Sequence, residues 1–505
     1  MAGEKKRIVF WPDVYKEQGH WLPTLAWADY LSSLEEDGEK LYSIAFMGIM
    51  DCKQIVDDYN AANGTDFFYY PIFTKTYPEG YTAQVQATTN ERWKSDHIMS
   101  LVYARFDDED NMKDAGANES QVFEALSLRN FLTNDETDDD YYPDFYKGLD
   151  ESAKDAFENG LDKCRNPDLI VSGFFTSMET AILYHLSQNG DDFNEDMKFA
   201  ISTTYLRHPS EDPATRVLQN LNGFNDYQQR MLLNIVMPED VDTDELEKEP
   251  EKSVEDFILP LTNLDEFIPC PKVFDYSHYE HGPKVHYVEP CINKELALPN
   301  GESPIDNWED FLAEHDKIVF VTAGSQILDY KDKAVVLFQS IIGAMQASDM
   351  KGYHLIICAG STLVQELSSD YENVTICGWA PQHTILSALA ESKHNGSCAI
   401  IHGGLATIKE CVYYDVPFLV LPLGKDQMDN ALRLEDCGIN NRFHLEYIKP
   451  KCLRYFINQI LQDYKSRLNL KKLSSIFRIA EQKHTGAKAI AHLAENENLD
   501  DFEWD

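Results

Sequence analysis

The sequence predicts an α/β protein of two doubly wound units facing one another across a cleft. Three observations carry this. The chain opens on a short buried-strand run, Ile8–Trp11, then a loop, an amphipathic helix from about His20 to Ser33 and a second strand at Ser43–Gly48. The same strand–turn–helix rhythm restarts near residue 290. The length of 505 residues would suit about three domains at roughly 150 residues each, but two large domains fit it as well once appendages are set aside.

Taken in order, Asp168–Gly173 reads as a further buried strand, followed by a helix through Met178 to Leu186 and a strand at Met197–Ser202. The stretch 107–162 reads as a helical, lid-like insertion. In the second half, Val285–Pro290 is a strand ending at a proline, and Lys317–Gly324 is a strong strand entering a glycine turn. A helix at Lys333–Gln346 follows, then strands at His354–Ala359, Val374–Cys377, Cys398–His402 and Pro417–Leu421, with a helix starting near Thr407. The chain is helical by pattern from about Cys452. No repeat of solenoid period is present.

The composition narrows the partners. Lys plus Arg number 44 and Asp plus Glu 86, a net charge of −42. A chain this acidic is a poor fit to the phosphate backbone of nucleic acid or to an anionic membrane. Two thirds of the charge sits in three stretches, 107–162, 239–256 and 495–505, which together carry −28. The segment just before the tail, Lys451–Ala494, has nine basic residues against two acidic, so the tail is expected to fold back on it. The ten cysteines are scattered, with no CxxC pair, as in a reducing compartment. No apolar run reaches the ~18 residues of a membrane span, and no signal-peptide core is present. The expected setting is cytoplasmic.

Chemistry concentrates between Gly378 and Asn430. His402-Gly403-Gly404 lies where a strand gives way to a helix, a place where backbone N–H groups and the helix dipole suit a diphosphate. Thr407, in the first helical turn, adds a hydroxyl, and Glu410 one turn on is placed to accept from vicinal hydroxyls. Asp426-Gln427 offers polar groups at a rim, and Trp379 a flat stacking face. Each piece alone is unremarkable: a lone His-Gly-Gly is usually a turn, and a lone Trp is usually core. Their order and spacing are what point to a nucleotide-sugar site.

That stretch, Gly378 to Ile439, resembles the donor signature of the UDP-dependent glycosyltransferases, inverting enzymes of the GT-B fold, in which two Rossmann-like domains enclose the substrate. Gln18-Gly19-His20 with Pro23 and Leu25 resembles the family's first loop, Phe320–Ser325 its glycine-serine turn, and Val285–Pro290 its linker strand, with Glu289 where glycine is usual. The resemblance spans roughly residues 8 to 440 and points to a non-plant, macrolide- or flavonoid-type branch. It implies that Trp379 stacks on uracil, that Ala380 and Gln382 hold the nucleoside, and that Glu410 binds ribose. It further implies that His402, Gly404, Thr407, Ser325 and the turn at Gly324 contact the diphosphate, and that Asp426 and Gln427 hold the sugar, Gln427 favouring glucose. Ala406 departs from the usual asparagine.

The same resemblance makes His20 the general base, with a helix N-terminus expected to disfavour its protonated form. The customary aspartate partner is missing, because Gly173 stands at its position. Glu179 and Asp13 are the candidates to replace it. Asp168 is at the wrong end of the strand. Trp21, Phe174, Phe175 and Met178 are candidates for an apolar acceptor wall, although such residues are more often core. No metal and no cofactor are expected; the partners are a UDP-sugar, UDP-glucose by preference, and a small-molecule acceptor, with the protein a monomer or weak homodimer.

The expected organisation is an acceptor domain over 1–285, a donor domain over 286–470, and final helices with an acidic tail over 471–505 packing back on the first domain. The expected reaction is transfer of a hexose, with inversion, to a hydroxyl of a small lipophilic acceptor. Two alternatives are a sterol or lipid glucosyltransferase, disfavoured by the charge and the missing span, and a catalytically silent binding subunit, suggested by Gly173 and Ala406.

Overall fold

The computed structural model of the protein describes residues 5–13, 16–72, 146, 148–188, 196–223, 226–237, 252–292, 303–325, 327–439, 441–443, 449–496 and 498–504. Most of the acidic insertion and most of the 239–256 stretch therefore lie outside the described residues. The described end of the insertion forms a helix, Glu151–Leu161, whose N-cap Asp150 accepts from the Ala153 N–H.

Seven parallel strands form the first sheet: β1 (Lys6–Trp11), β2 (Tyr42–Gly48), β3 (Phe68–Pro71), β4 (Leu169–Gly173), β5 (Lys198–Ser202), β6 (Asp265–Ile268) and β7 (Val285–Tyr287). Their spatial order is β3-β2-β1-β4-β5-β6-β7. The second sheet has five parallel strands, β8 (Ile318–Thr322), β9 (His354–Cys358), β10 (Val374–Cys377), β11 (Cys398–Ile401) and β12 (Phe418–Val420), in the order β10-β9-β8-β11-β12. Sheets buried on both faces need strands that are apolar throughout, which is why Ile8–Trp11 and Ile318–Val321 are fully or almost fully buried. Strand β6 escaped the sequence reading because it begins Asp265-Glu266. Both acids are buried and compensated, Glu266 by Arg207 and Asp265 by His286 at 2.7 Å.

In both sheets the order reverses beside the first strand, between β1 and β4 and between β8 and β11. Loops leaving these adjacent strands diverge and open a crevice. Both crevices face the same cleft.

Two features hold the halves together. Arg433, on the helix Gln427–Asp436, is 0% exposed. Its guanidinium reaches the first half, donating to the Leu206 carbonyl at 2.9 Å and pairing with Asp275 at 3.3 Å, while the rings of Tyr276 and Tyr279 lie 5.3 and 5.6 Å away. The second feature is the return of the chain. A long helix, Tyr464–Lys483, packs on the second half, turns at His484 in the left-handed region (φ 52°), and continues as Thr485–Glu495 against helix α1 (Gln18–Ser32). Ala487, Ile490 and Ala494 join the first half's core. Glu289, the residue in place of the usual glycine, caps this last helix: its carboxylate accepts the N–H groups of Gly486 and Ala487.

Among the described residues the tail meets the far end of the basic segment, Phe502 lying edge-on to His492 at 5.5 Å. Leu499 and Phe502 pack into the first half's core and Trp504 stacks on His286 at 4.2 Å, so apolar contact rather than charge places it.

Near Glu289 lies a half-buried acid, Glu481, accepting the Ile292 N–H at 3.0 Å. Burial first, and then the Glu289 carboxylate, push Glu481 up to about 8. Between its unfolded value of 4.5 and about 8 the folded chain holds a proton that the unfolded chain has lost, so this group makes stability fall as pH rises through that window. Glu481→Gln should flatten the decline, measured as chemical-denaturation midpoints from pH 6 to 9; an unchanged slope would place the titration elsewhere.

Candidate active site

A cavity of about 460 Å³ lies between the halves, lined from both. From the first half come the loop after β1 and the start of α1, with His20; from the second come the turns that follow the carboxyl ends of its strands.

The second half's side of the cavity is assembled from four strand ends. After β8, Gly324 adopts φ 77° and turns the chain toward Ser325. A side chain there would lie 2.5 Å from the His402 ring, and one at Gly404 equally close to it. The two glycines therefore clasp the imidazole between two backbones. Burial first, and then the Lys425 ammonium, push His402 down to about 4, so it meets any ligand at neutral pH as an uncharged hydrogen-bonding group. After β11, Gly404 is the N-cap of α2 (Leu405–Tyr413), and Thr407 stands in its first turn. After β10, Trp379 and Ala380 precede α3 (Gln382–Leu389 in the chain between them), whose Gln382 donates to Glu410 while His383 approaches that carboxylate at 3.4 Å. After β12, the pair Asp426-Gln427 opens the helix that carries Arg433. Asn430, fully buried, donates to both the Asp426 carboxylate (2.9 Å) and the Gly403 carbonyl (3.2 Å), tying the sugar-side pair to the glycine turn. The Gln427 side-chain oxygen accepts from the Leu423 and Gly424 N–H groups. Burial raises Asp426. All eleven residues named for the donor from the sequence line this one cavity.

On the opposite wall, His20 Nδ1 lies 2.5 Å from the buried Asp13 carboxylate. Asp13 follows β1 directly, and Gly173 shows why the acid sits there. A Cβ at 173 would fall 1.7 Å from the Pro12 carbonyl oxygen. The main chain of the Asp13 segment fills the space a side chain at the end of β4 would need. Asp168, at the far end of β4, instead pairs with Lys6 at 2.7 Å. Glu179 is buried in the helix Ser177–Gln188.

The His20 titration differs from expectation. Burial alone would lower it, but the Asp13 charge and hydrogen bond, helped by Glu17, raise it above 6.5. The nearby carboxylates outweigh the helix N-terminus. Glu17 lies 3.7 Å from His20 Nε2 and pairs across the cleft with Lys425 at 3.1 Å. Beside this ion pair the halves also meet at Gly19, where an added Cβ would stand 3.9 Å from Ala406. Asp13, Glu17 and His20 bring ligand atoms within 4.8 Å of one another, but the hydrogen bond and the Lys425 ion pair already account for that grouping.

The acceptor wall differs from the sequence expectation. Trp21 is fully buried against Phe46 and Tyr69, and Phe174 and Met178 are likewise buried, Met178 within the first half's core. Only Phe175 of the four approaches the site, stacking on His20 at 4.9 Å and on Tyr205 at 5.5 Å. The cavity itself is lined by Leu22, Thr204 and Tyr205. Leu22 follows Trp21 by one position, and a helix turns 100° per residue, so a one-residue difference exchanges core for cleft. Thr204 and Tyr205 follow β5 in an irregular segment with no sequence period to flag them.

A profile of the glycosyltransferase family 28 C-terminal domain matches residues 318–492. A putative UDP-glucuronosyltransferase of Caenorhabditis elegans is 23% identical over 223 residues, 44% of this chain and 39% of the relative. A UDP-glycosyltransferase of Talaromyces amestolkiae is 24% identical over 189 residues, 33% and 35% of the two chains. The second half of the chain is therefore similar to the C-terminal domain of family 28 glycosyltransferases, and the relatives it resembles are UDP-glycosyltransferases. The match spans well under half the length of these relatives. Two solved structures cover nearly all of this chain and share its fold: the glycotransferase of kitacinnamycin (TM-score 0.57, 13% identity, 97% of this chain and 100% of that one) and the calicheamicin glycosyltransferase CalG4 (0.55, 15%, 97% and 99%). The fold is GT-B.

The Gly173–Pro12 approach is directly testable. Gly173→Ala should cost about 1–3 kcal/mol of stability, as overpacking does, and should disturb the His20–Asp13 pair. A thermal-denaturation midpoint equal to wild type would mean the two segments can separate without cost.

Proposed function

We propose that this protein is a UDP-glycosyltransferase that transfers a hexose, glucose by preference, from a UDP-sugar to a hydroxyl of a small lipophilic acceptor, with inversion. The observation that carries the reading is the His20–Asp13 pair facing the clustered donor residues across one cavity.

In the proposed reaction Asp13 holds Nδ1–H of His20 and leaves Nε2 as the base. The acceptor oxygen attacks the anomeric carbon, its proton passes to Nε2, and the carbon–oxygen bond to the diphosphate breaks with its electron pair on UDP. Trp379 stacks on the uracil and Glu410, held by Gln382 and His383, takes the ribose hydroxyls. The leaving diphosphate is stabilised by the N–H groups at the start of α2, by Thr407 and Ser325, and by the neutral His402. Asp426 and Gln427 hold sugar hydroxyls; Gln427 is the basis for preferring glucose. Leu22, Phe175 and Tyr205 supply the acceptor wall. The ion pair between Glu17 and Lys425 holds the halves together over the reacting atoms and limits water.

The decisive assay combines UDP-glucose with phenolic, polyketide and sterol acceptors and measures UDP release and product mass. Binding of UDP without turnover of any UDP-sugar would establish a silent binding subunit instead. His20→Ala should lower kcat by at least about 100-fold. Because His20 must be neutral to act and its pKa is raised, kcat/KM should climb with pH through an inflection above 6.5. Glu17→Gln removes one of the charges that raise it, so the inflection should move to lower pH; a shift upward, or none, would dissociate that limb from His20.

A further inference from the structure

Outside the cleft, one surface departs from the acidic character of the whole chain. The helix Tyr464–Lys483, twenty residues long, carries six Lys or Arg residues against one acid. Its inner face, Leu470, Leu473, Ser474 and Phe477, is buried. The one acid, Glu481, is bonded to the Ile292 N–H. The outer face sets large apolar side chains among the cations. Tyr464 is 79% exposed, Leu468 and Ile476 each 41%, and Ile479 57%, interleaved with exposed Lys465, Lys471 and Lys472. At 100° per residue these positions fall on one continuous arc of about 140°.

An apolar stripe with flanking lysines is costly in water, yet it suits the headgroup region of a bilayer. There the isoleucine, leucine and tyrosine side chains enter the acyl boundary and the lysines extend to lipid phosphates. A purely acidic protein partner would answer the lysines but leave Leu468, Ile476 and Ile479 in water. The acidic tail, whose charge would complement this helix, is held elsewhere by Leu499, Phe502 and Trp504. The net charge of −42 does not forbid the contact, because charges more than about 8 Å away are screened at physiological salt. Asp415, at the turn after α2 and close to Arg467, Lys471 and Arg478, offsets only part of the local positive charge.

We propose that the outer face of the helix Tyr464–Lys483 docks this protein on an anionic lipid bilayer. The contact is peripheral: among the described residues no helix is long and apolar enough to cross a membrane. It stands apart from the proposed reaction, since none of these side chains lines the cleft, and it brings a lipophilic acceptor dissolved in the bilayer close to the enzyme.

The test is co-sedimentation of the full-length protein with vesicles of phosphatidylcholine alone and with about one third phosphatidylserine. Partition should be at least about tenfold stronger on the anionic vesicles and should fall as salt rises. Lys471→Glu with Lys472→Glu should abolish the anionic preference. Ile476→Ser with Ile479→Ser should lower partition on anionic vesicles at unchanged charge. Both double variants should keep the wild-type melting temperature and UDP affinity, which separates loss of docking from loss of fold or of the active site. Failure of the wild-type chain to sediment with anionic vesicles would overturn the proposal. So would variants that bind as wild type, or cross-links from Lys471 or Lys472 to the acidic stretch 107–141 in the lipid-free protein, which would show that the chain covers this face itself.

Discussion

The guanidinium of Arg433 joins the two halves, and the geometry of the cleft depends on it. It is fully buried, and a buried cation is tolerated only when its charge and donors are met. Asp275 and the Leu206 carbonyl meet it from the first half; Asp429 meets it from its own helix at 3.0 Å. That helix begins at Asp426-Gln427, so the anchor on the first half also fixes two residues that line the cavity. Lys409 acts in the same way one helix away. It is buried beside Glu410, and its ammonium donates to the Pro269 and Pro290 carbonyls. These two helices are therefore each held from behind by a buried cation gripping the other half or the linker.

Charge is organised locally, and the total is a poor guide to any one surface. Around His20 the carboxylates of Asp13 and Glu17 overcome both burial and a helix N-terminus. Far in sequence from all three acidic stretches, His402 is kept neutral by burial with Lys425 close by. The acidic tail is placed by a tryptophan–histidine stack, and the most basic helix shows its cations and its isoleucines to solvent.

Much of this was legible in the chain. The period-free apolar runs marked the central strands, and the order of Trp379, His402-Gly-Gly, Glu410 and Asp426-Gln427 marked the donor side, because that side is built from one continuous stretch of strand–turn–helix units. Strand β6 was hidden because its two acids are compensated by Arg207 and His286 from elsewhere in the fold. The first half's lining was not legible, because a Trp beside a Leu on one helix gives no sign of which faces the cleft.

The sequence by itself determined the class of fold, most of the strand–turn–helix order and which residues of the second half line the cavity, since each is encoded by local period and spacing. Only the tertiary structure decided which acid meets His20, which aromatic residue stacks on it, and what Glu289 does. Those are contacts between segments far apart in the chain or set by backbone approach. Asp13 is beside His20 because the Pro12 carbonyl occupies the space above Gly173, and Glu289 caps a helix almost two hundred residues away.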